Sequence, residues 1–411
     1  MGRTLIEKII GSHTDQKVRP GNIVWMDLDV RSARDFGGGN VVANYHRHYG
    51  DQPVADVEKT FFTFDCNAPA NTIPYAQNQR ACREFAREQG IKVFDVDSGI
   101  GTHVLLEEGK ITPGCTAVGT DSHFNIMGAA GAFGQGMGDS DIAYAFRYGR
   151  TWFEVPQSIK VTLEGQPSIF ATARDVVFAV LRHFGSSGAL GRAVELYGPA
   201  IDELDLSGRI TVASQGTEMG AISLLLTPTD AVLEELSRGP DSQMKAVTAD
   251  DDAEYEQTHT INVEGLGPLM AAPPSPTNIV EVKEVENRKV DAVFIGSCTN
   301  GRYEDIVAAA KVLKGSRVAD GVNVFVVPSS RKIFMRLLSE GWLEALMAAG
   351  AVVSNPSCAG CASGQIGMTG SGETMVSTSN RNYKGKQGAG NTYLASPVTA
   401  AKCALAGCIK T

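Results

Sequence analysis

Ser354-Asn-Pro-Ser-Cys358-Ala-Gly-Cys361-Ala-Ser-Gly364, taken with Gly296-Ser-Cys298-Thr-Asn300, decides how this chain reads. Two cysteines stand three positions apart in a loop rich in Gly, Ser and Pro, and a third lies 60 residues upstream. That third cysteine follows the apolar run Val290-Asp-Ala-Val-Phe-Ile295, which has the pattern of a buried parallel strand. Cys298 therefore falls in the turn leaving a strand end, where open α/β sheets bind ligands. Three thiolates on two loops, with small residues that let backbone approach, suit an iron–sulfur cluster with one iron not held by cysteine. Such an iron is a Lewis acid for a substrate oxygen. The same spacing also describes a redox pair, half of a zinc site, or cysteines used as small apolar residues. A structural zinc site wants four ligands, and no His or Cys follows Cys361 at finger spacing. A redox pair normally opens a helix after an early strand, whereas this pair lies near the end of the chain.

A length of 411 residues suggests about two to three domains. The hydrophobic share of 43% and charged share of 20% are those of a globular chain with sizeable cores. Glycine is abundant, 45 residues, and much of it flanks apolar runs, as expected where backbone must approach a ligand. The net charge is −9 with no basic stripe, which argues against nucleic acid as the main partner. Eight unevenly spaced cysteines do not form a disulfide framework. The N-terminus, Met1-Gly-Arg-Thr-Leu-Ile-Glu-Lys-Ile-Ile10, is too charged for a secretion signal, and no apolar stretch reaches the ~18 residues of a membrane span. A reducing cytoplasm is the expected setting.

Strands and helices alternate along the chain. Strands are expected at Gly21–Met26, Thr60–Phe64 and Lys92–Asp95, with a helix over Ala76–Gln89. This is the pattern of α/β architecture with parallel sheets. The strand Thr116–Gly119 leads into Thr120-Asp121-Ser122-His123, a carboxylate, a hydroxyl and an imidazole within three residues, and a helix of small residues is expected over Gly128–Phe133. Taken alone, Asp121 reads as a cap and His123 as a hydrogen-bonded core histidine. The text changes near residue 157, where an alternating strand, Ser158–Gly165, and an amphipathic helix, Ala173–Leu181, open a second unit. That unit carries Glu218 within a helix-like run, Thr211–Ala221, where a surface carboxylate is the plain reading. Residues 266–282 form a Pro-rich, extended linker. A third unit, 283–411, holds the cysteines, a helix Tyr303–Leu313 and a strand Val322–Val327. It ends with Ser377-Thr-Ser-Asn380-Arg381-Asn382-Tyr-Lys-Gly-Lys386, whose Arg381 and Lys386 could clamp a carboxylate.

Assembled in order, these motifs resemble the aconitase family. The likeness is to the separate large subunits of 3-isopropylmalate dehydratase, homoaconitase and related dimethylmalate dehydratases. The matching motifs are Gly296–Asn300, Cys358–Cys361, Gly119–His123 and Ser377–Lys386, and the likeness runs over nearly the whole chain. It implies three α/β domains, 1–156, 157–265 and 283–411, around a [4Fe–4S] cluster held by Cys298, Cys358 and Cys361. It implies dehydration or hydration of a small hydroxy di- or tricarboxylate. By matching position, Asp121 and His123 would orient and protonate the leaving hydroxyl, and Glu218 would contact the water on the open iron. Ser122 and Arg381 would hold substrate, and Asn380 would lie beside the cluster.

Four departures mark a divergent member. Asp65-Cys66 stands where the family has Asp-His, so an expected imidazole proton partner is missing. Asp65 stays a candidate catalytic residue, and Cys66 is a candidate thiol acid or a residue lining a reshaped substrate pocket. Lys386 replaces a second arginine, giving a point charge in place of a fork. Ser214 replaces an asparagine near the cluster. The family's N-terminal His-Asp-x-Thr stretch is not evident in Asp27–Ala33. The family's catalytic serine lies in a swivelling fourth domain with no counterpart in this sequence, so a separate small subunit is expected to close the cleft. Two rival functions are an RNA-binding regulator, disfavoured by the charge, and a cluster-dependent sulfur-handling or redox protein.

Overall fold

The computed structural model describes residues 2–237, 244–363 and 365–411; Gly364, at the end of the quoted stretch, lies outside them. Three parallel-strand sheets organise the chain. In the first, Lys92–Phe94, Thr60–Thr63, Val30–Arg34, Thr116–Gly119 and Phe133–Gly136 lie side by side in that order, all parallel. The chain enters at Val30–Arg34, builds outward on one side, then crosses to Thr116–Gly119 and builds on the other. A topological switch point therefore falls between Arg34 and Asp121, the kind of crevice in which doubly wound sheets bind ligands. Strands Thr60–Thr63 and Thr116–Gly119 are buried at every residue, as strands covered on both faces must be.

The second sheet, Ser223–Leu225, Ala193–Tyr197, Ser158–Glu164 and Gln257–Asn262, is also parallel throughout. Its helix Ala173–Phe184 starts at Thr172, whose backbone N–H and hydroxyl both donate to Asp175 at 2.7 and 2.8 Å. This reciprocal cap satisfies donors that a bare helix end would leave orphaned.

The third sheet has a parallel block, Asn391–Leu394, Thr374–Ser377, Ala292–Gly296, Asn323–Val327 and Val352–Val353. Here too the chain starts in the middle, at Ala292–Gly296, and returns later to its other side at Thr374–Ser377. The second switch point thus lies between Cys298 and the segment Thr378–Arg381.

Several sequence readings need correction. Residues 266–282 are extended, but two strands within them, Leu269–Ala271 and Ile279–Glu281, pair antiparallel and join the edge of the third sheet through Ala271 and Leu394. Leu269, Met270 and Ala271 are buried, so the segment belongs to a core and is no spacer. The helix expected at Gly128–Phe133 is instead a 3-10 turn, Phe124–Ala130, followed by the strand Phe133–Gly136. The small residues there do permit close approach: a Cβ on Gly128 would overlap the Leu224 carbonyl of the second sheet. The run Thr211–Ala221 divides into a helix ending at Ala213 and a 3-10 turn, Gly216–Met219. The central strand Val30–Arg34 was not read from the sequence at all. Among the described residues, no helix is long and apolar enough to cross a membrane.

Candidate active site

The two switch points face each other, and the side chains at their strand ends converge. On the first sheet, Asp65 follows Thr60–Thr63 and Asp121 follows Thr116–Gly119; both are buried. On the third, Cys298 follows Ala292–Gly296, Cys358 and Cys361 follow Val352–Val353, and Asn380 and Arg381 follow Thr374–Ser377. Glu218 enters from the 3-10 turn of the second unit.

The cysteine loops are held in unusual backbone. Three described non-glycine residues have positive φ, and two of them adjoin cysteines: Ser297 (φ 77°) precedes Cys298, and Ala359 (φ 46°) follows Cys358. Such conformations persist only where the surroundings enforce them, and they cluster at functional sites. Cys298, Cys358 and Cys361 are all buried. Burial pushes the Cys298 and Cys358 thiols well up, and Cys298 lies close enough to both other sulfurs for their charges to interact.

Around these sulfurs stands a connected polar network. His123 Nε2 is 3.1 Å from Glu218 Oε1, and the His123 backbone N–H donates to Asp121 Oδ1 at 3.0 Å. Arg381 donates through Nε to Glu218 Oε1 at 2.7 Å and through Nη1 to Ser122 Oγ at 3.3 Å. Asn380 accepts from the Cys298 thiol at 3.3 Å and donates to the Ser214 carbonyl at 3.4 Å. Burial alone would raise Glu218, but His123 and Arg381 outweigh it and leave the carboxyl below its ordinary range. Asp121 is likewise held low, with Arg34 and then His123 overcoming burial. Asp65 behaves oppositely: burial dominates the pull of Arg34 and lifts it to about 6. Its Oδ2 accepts from the Gly101 N–H at 2.7 Å, and its carbonyl accepts from the Cys358 N–H at 2.8 Å.

Of the residues proposed from sequence, Asp65, Asp121, Ser122, His123, Glu218, Asn380, Arg381 and the three cysteines all converge here. The Cys66 thiol is buried beside them and raised well above its ordinary value, mainly by burial. Lys386 is different. It is half-buried, and its ammonium has no ion-pair partner among the described residues.

Three residues were missed. Arg34, at the end of the unforeseen strand, donates to Asp65 Oδ1 at 2.6 Å and to the Cys358 sulfur at 2.7 Å, and pairs with Asp121 Oδ1 at 3.0 Å. Asp35 accepts from the backbone N–H groups of Asp65, Cys66 and Asn67 and from Gln79, fixing the loop that carries Cys66. His103 is buried with Nε2 against the Cys298 carbonyl at 2.9 Å, and burial drops it to about 3, so it is a neutral imidazole. Arg34-Asp35 carries little signal in the sequence: a charged pair directly after the short run Val30-Arg-Ser-Ala33.

The model for the aconitase family (aconitate hydratase) matches residues 7–407. The chain belongs to the aconitase family. It is 40% identical over 410 residues to the 3-isopropylmalate dehydratase large subunit 1 of Methanopyrus kandleri, covering 99% of this chain and 98% of that one. It is 37% identical to the probable methanogen homoaconitase large subunit of Methanothermobacter thermautotrophicus, covering 98% and 96%. Among solved structures it resembles Thermococcus kodakaraensis aconitase X in its holo form, with a TM-score of 0.51 at 12% identity over 92% of this chain and 89% of that one, a likeness of fold.

Dehydratases of the aconitase family carry a [4Fe–4S] cluster, and the donor set here fits one. Three buried thiols come from two loops whose backbone is bent to present them. Among the described residues, the one set of three ligand atoms within 4.8 Å of one another is Asp35, Asp65 and Cys66, not the cysteine trio. A single tetrahedral zinc would draw its sulfurs to about 3.8 Å, from a Zn–S bond of ~2.3 Å. The wider cysteine set suits a larger body. Asp35 itself is already engaged by four N–H donors, which explains that tight acidic set structurally.

Proposed function

We propose that this chain is the cluster-bearing large subunit of a hydro-lyase acting on a small hydroxy di- or tricarboxylate of the 3-isopropylmalate or 2-methylmalate kind. The observation that carries the reading is the meeting, at two facing switch points, of three buried cysteines with the linked set Asp121, His123, Glu218 and Arg381. A [4Fe–4S] cluster on Cys298, Cys358 and Cys361 would supply a Lewis-acidic iron for a substrate oxygen.

The rest of the chemistry belongs to side chains. Glu218, held low by His123 and then Arg381 against its burial, accepts from His123 Nε2 and so fixes the orientation of the imidazole, as a buried carboxylate does in a catalytic triad. Nδ1 of His123 then points its proton exchange toward Ser122 Oγ, 3.5 Å away, at the mouth of the cleft. Asp65 and Asp121 form a second pair with values pushed apart by their surroundings, the arrangement that separates acid from base roles. Arg381 is a fifth exposed, so N–H groups beyond those on Glu218 and Ser122 reach the cleft for a substrate carboxylate. Asn380 stays on the Cys298 sulfur, and Cys66, buried and fixed through its backbone by Asp35, remains a candidate pocket residue. Lys386 is kept as a candidate carboxylate ligand from its motif alone.

The reading also places the three sheet units at 1–156, 157–265 and 266–411. Its partner is a separate small subunit carrying the swivelling domain and the base, consistent with the "large subunit" names of the relatives. Its setting is the cytoplasm, where eight unpaired cysteines stay reduced. Anaerobic reconstitution with iron and sulfide, addition of the small subunit, and a panel of unsaturated diacids scanned for hydration test it. Cys358→Ser should lose cluster absorbance and hydration together; turnover by a cluster-free C358S protein would refute the proposal.

A further inference from the structure

We infer that Arg34 protects the cluster against oxidation by placing a permanent cation on one of its ligand sulfurs. This rests on the cluster reading above and assigns a role that the proposed reaction does not require.

The geometry is specific. Arg34 leaves the end of the central strand Val30–Arg34 and spreads its fork over three acceptors: Nε to Asp65 Oδ1 at 2.6 Å, Nη1 to Asp121 Oδ1 at 3.0 Å and Nη2 to Cys358 Sγ at 2.7 Å. The side chain is 12% exposed, so water screens these contacts little. Two carboxylates hold the guanidinium in place, and the third arm is thereby aimed at sulfur. Lysine could supply the charge but not the three-way aim, because only the planar fork offers separate N–H directions. Among the described residues, Asn380 is the other side chain hydrogen-bonded to one of the three cysteine sulfurs, but it is neutral.

Charge and hydrogen bonds at the sulfurs are among the main determinants of cluster potential. Removing an electron makes the cluster less negative, so a cation at Cys358 stabilises the form before oxidation more than the form after it. The step opposed is the passage of one electron from [4Fe–4S]2+ to an outside acceptor such as ferricyanide, which becomes ferrocyanide. The resulting [4Fe–4S]3+ can then release Fe2+ and leave [3Fe–4S]+, so charge and iron both balance. The loss would remove the very iron that lacks a cysteine.

The test uses the whole chain, reconstituted anaerobically and titrated with ferricyanide, with the paramagnetic three-iron signal as readout. Arg34→Gln should shift the oxidation equilibrium at least tenfold toward the oxidised side, ~59 mV for one electron, and build the three-iron signal several-fold sooner. Arg34→Lys, which keeps the charge that Asp65 and Asp121 need, should fall between R34Q and wild type. If R34Q does not fold, the wild type answers through magnetic coupling between its reduced cluster and isotopically labelled arginine nitrogen, a coupling that R34K should lose. A full cluster complement in R34Q with unchanged equilibrium and lifetime would overturn the inference and leave the hydro-lyase reading intact; so would coupling unaltered in R34K. A wild type that takes up no cluster would overturn both.

Discussion

Gly296 ends the buried strand Ala292–Gly296 at φ 155° and ψ −148°, a region open almost solely to glycine. A Cβ there would lie 2.5 Å from the Val327 carbonyl oxygen of the neighbouring strand. Two residues later the chain must deliver Cys298, so this one backbone turn aims a sulfur. Gly296→Ala should therefore cost about 3 kcal/mol or more, strain and overlap together, and should lower both the thermal midpoint and the iron bound per chain after reconstitution. An unchanged midpoint with full iron content would show that the turn has another conformation open to it. At this same scale, the sequence motifs named most of the side chains that the fold brings together. Asp121, His123, Glu218 and Arg381 each looked ordinary alone, yet their hydrogen bonds join positions 95 and 163 residues apart. Arg34 escaped because an arginine after the short, mixed run Val30-Arg-Ser-Ala33 looks like any solvated base. Only the sheet order, with Val30–Arg34 at its centre, turns it inward.

Elements were legible where periodicity was long or burial complete. The strands around Thr60, Thr116 and Ala292 and the helices ending at Gln89 and Leu313 lie close to where their patterns put them. Short turns between small residues were not, because Phe124–Ala130 and Gly216–Met219 owe their shape to packing between units that no local pattern encodes. The Pro-rich segment is the instructive case: it is extended, but tertiary contacts make it a sheet edge. Its Leu269 N–H donates to Asp175 Oδ1 at 2.8 Å, tying the third sheet to the cap of the helix Ala173–Phe184. Burial lifts the Asp175 carboxyl to about 6, against the opposing pull of its bonds from Leu269 and Thr172 and the charge of Arg174. A folded value above the unfolded one means the group's favourable contribution is whole below about pH 4 and is lost as pH rises through about 6. The loss is on the order of 2–3 kcal/mol. Asp175→Asn stays neutral throughout, so its urea midpoint should fall less than that of the wild type between pH 5 and pH 8. Parallel pH dependence in the two proteins would show that another group sets the slope.

At the scale of the whole molecule, large exposed apolar side chains follow closely in sequence on the residues of the buried polar centre. Phe36 is 63% exposed two positions after Arg34, Tyr383 is 45% exposed two positions after Arg381, and Ile73 is 75% exposed seven positions after Cys66. Side chains of this size so near a buried charge network are poorly explained by solvation, since water gains nothing from them. A lid that must exclude water from Asp121, His123 and the cysteines needs such a rim, with aromatic anchors in the dry part of the contact. The proposed small subunit is that lid, so the rim should carry much of its affinity. Phe36→Glu should weaken binding of the small subunit at least tenfold, read by titrating it into the reconstituted chain and following the sedimenting complex. Cluster absorbance should be unchanged, because the Phe36 side chain is largely exposed and, among the described residues, none of its hydrogen-bond or ring contacts holds a cysteine loop. Hydration activity should be recovered at high small-subunit concentration, which separates lost docking from lost chemistry. Wild-type affinity in the variant would move the docking surface away from the mouth and leave these exposed side chains to some other partner.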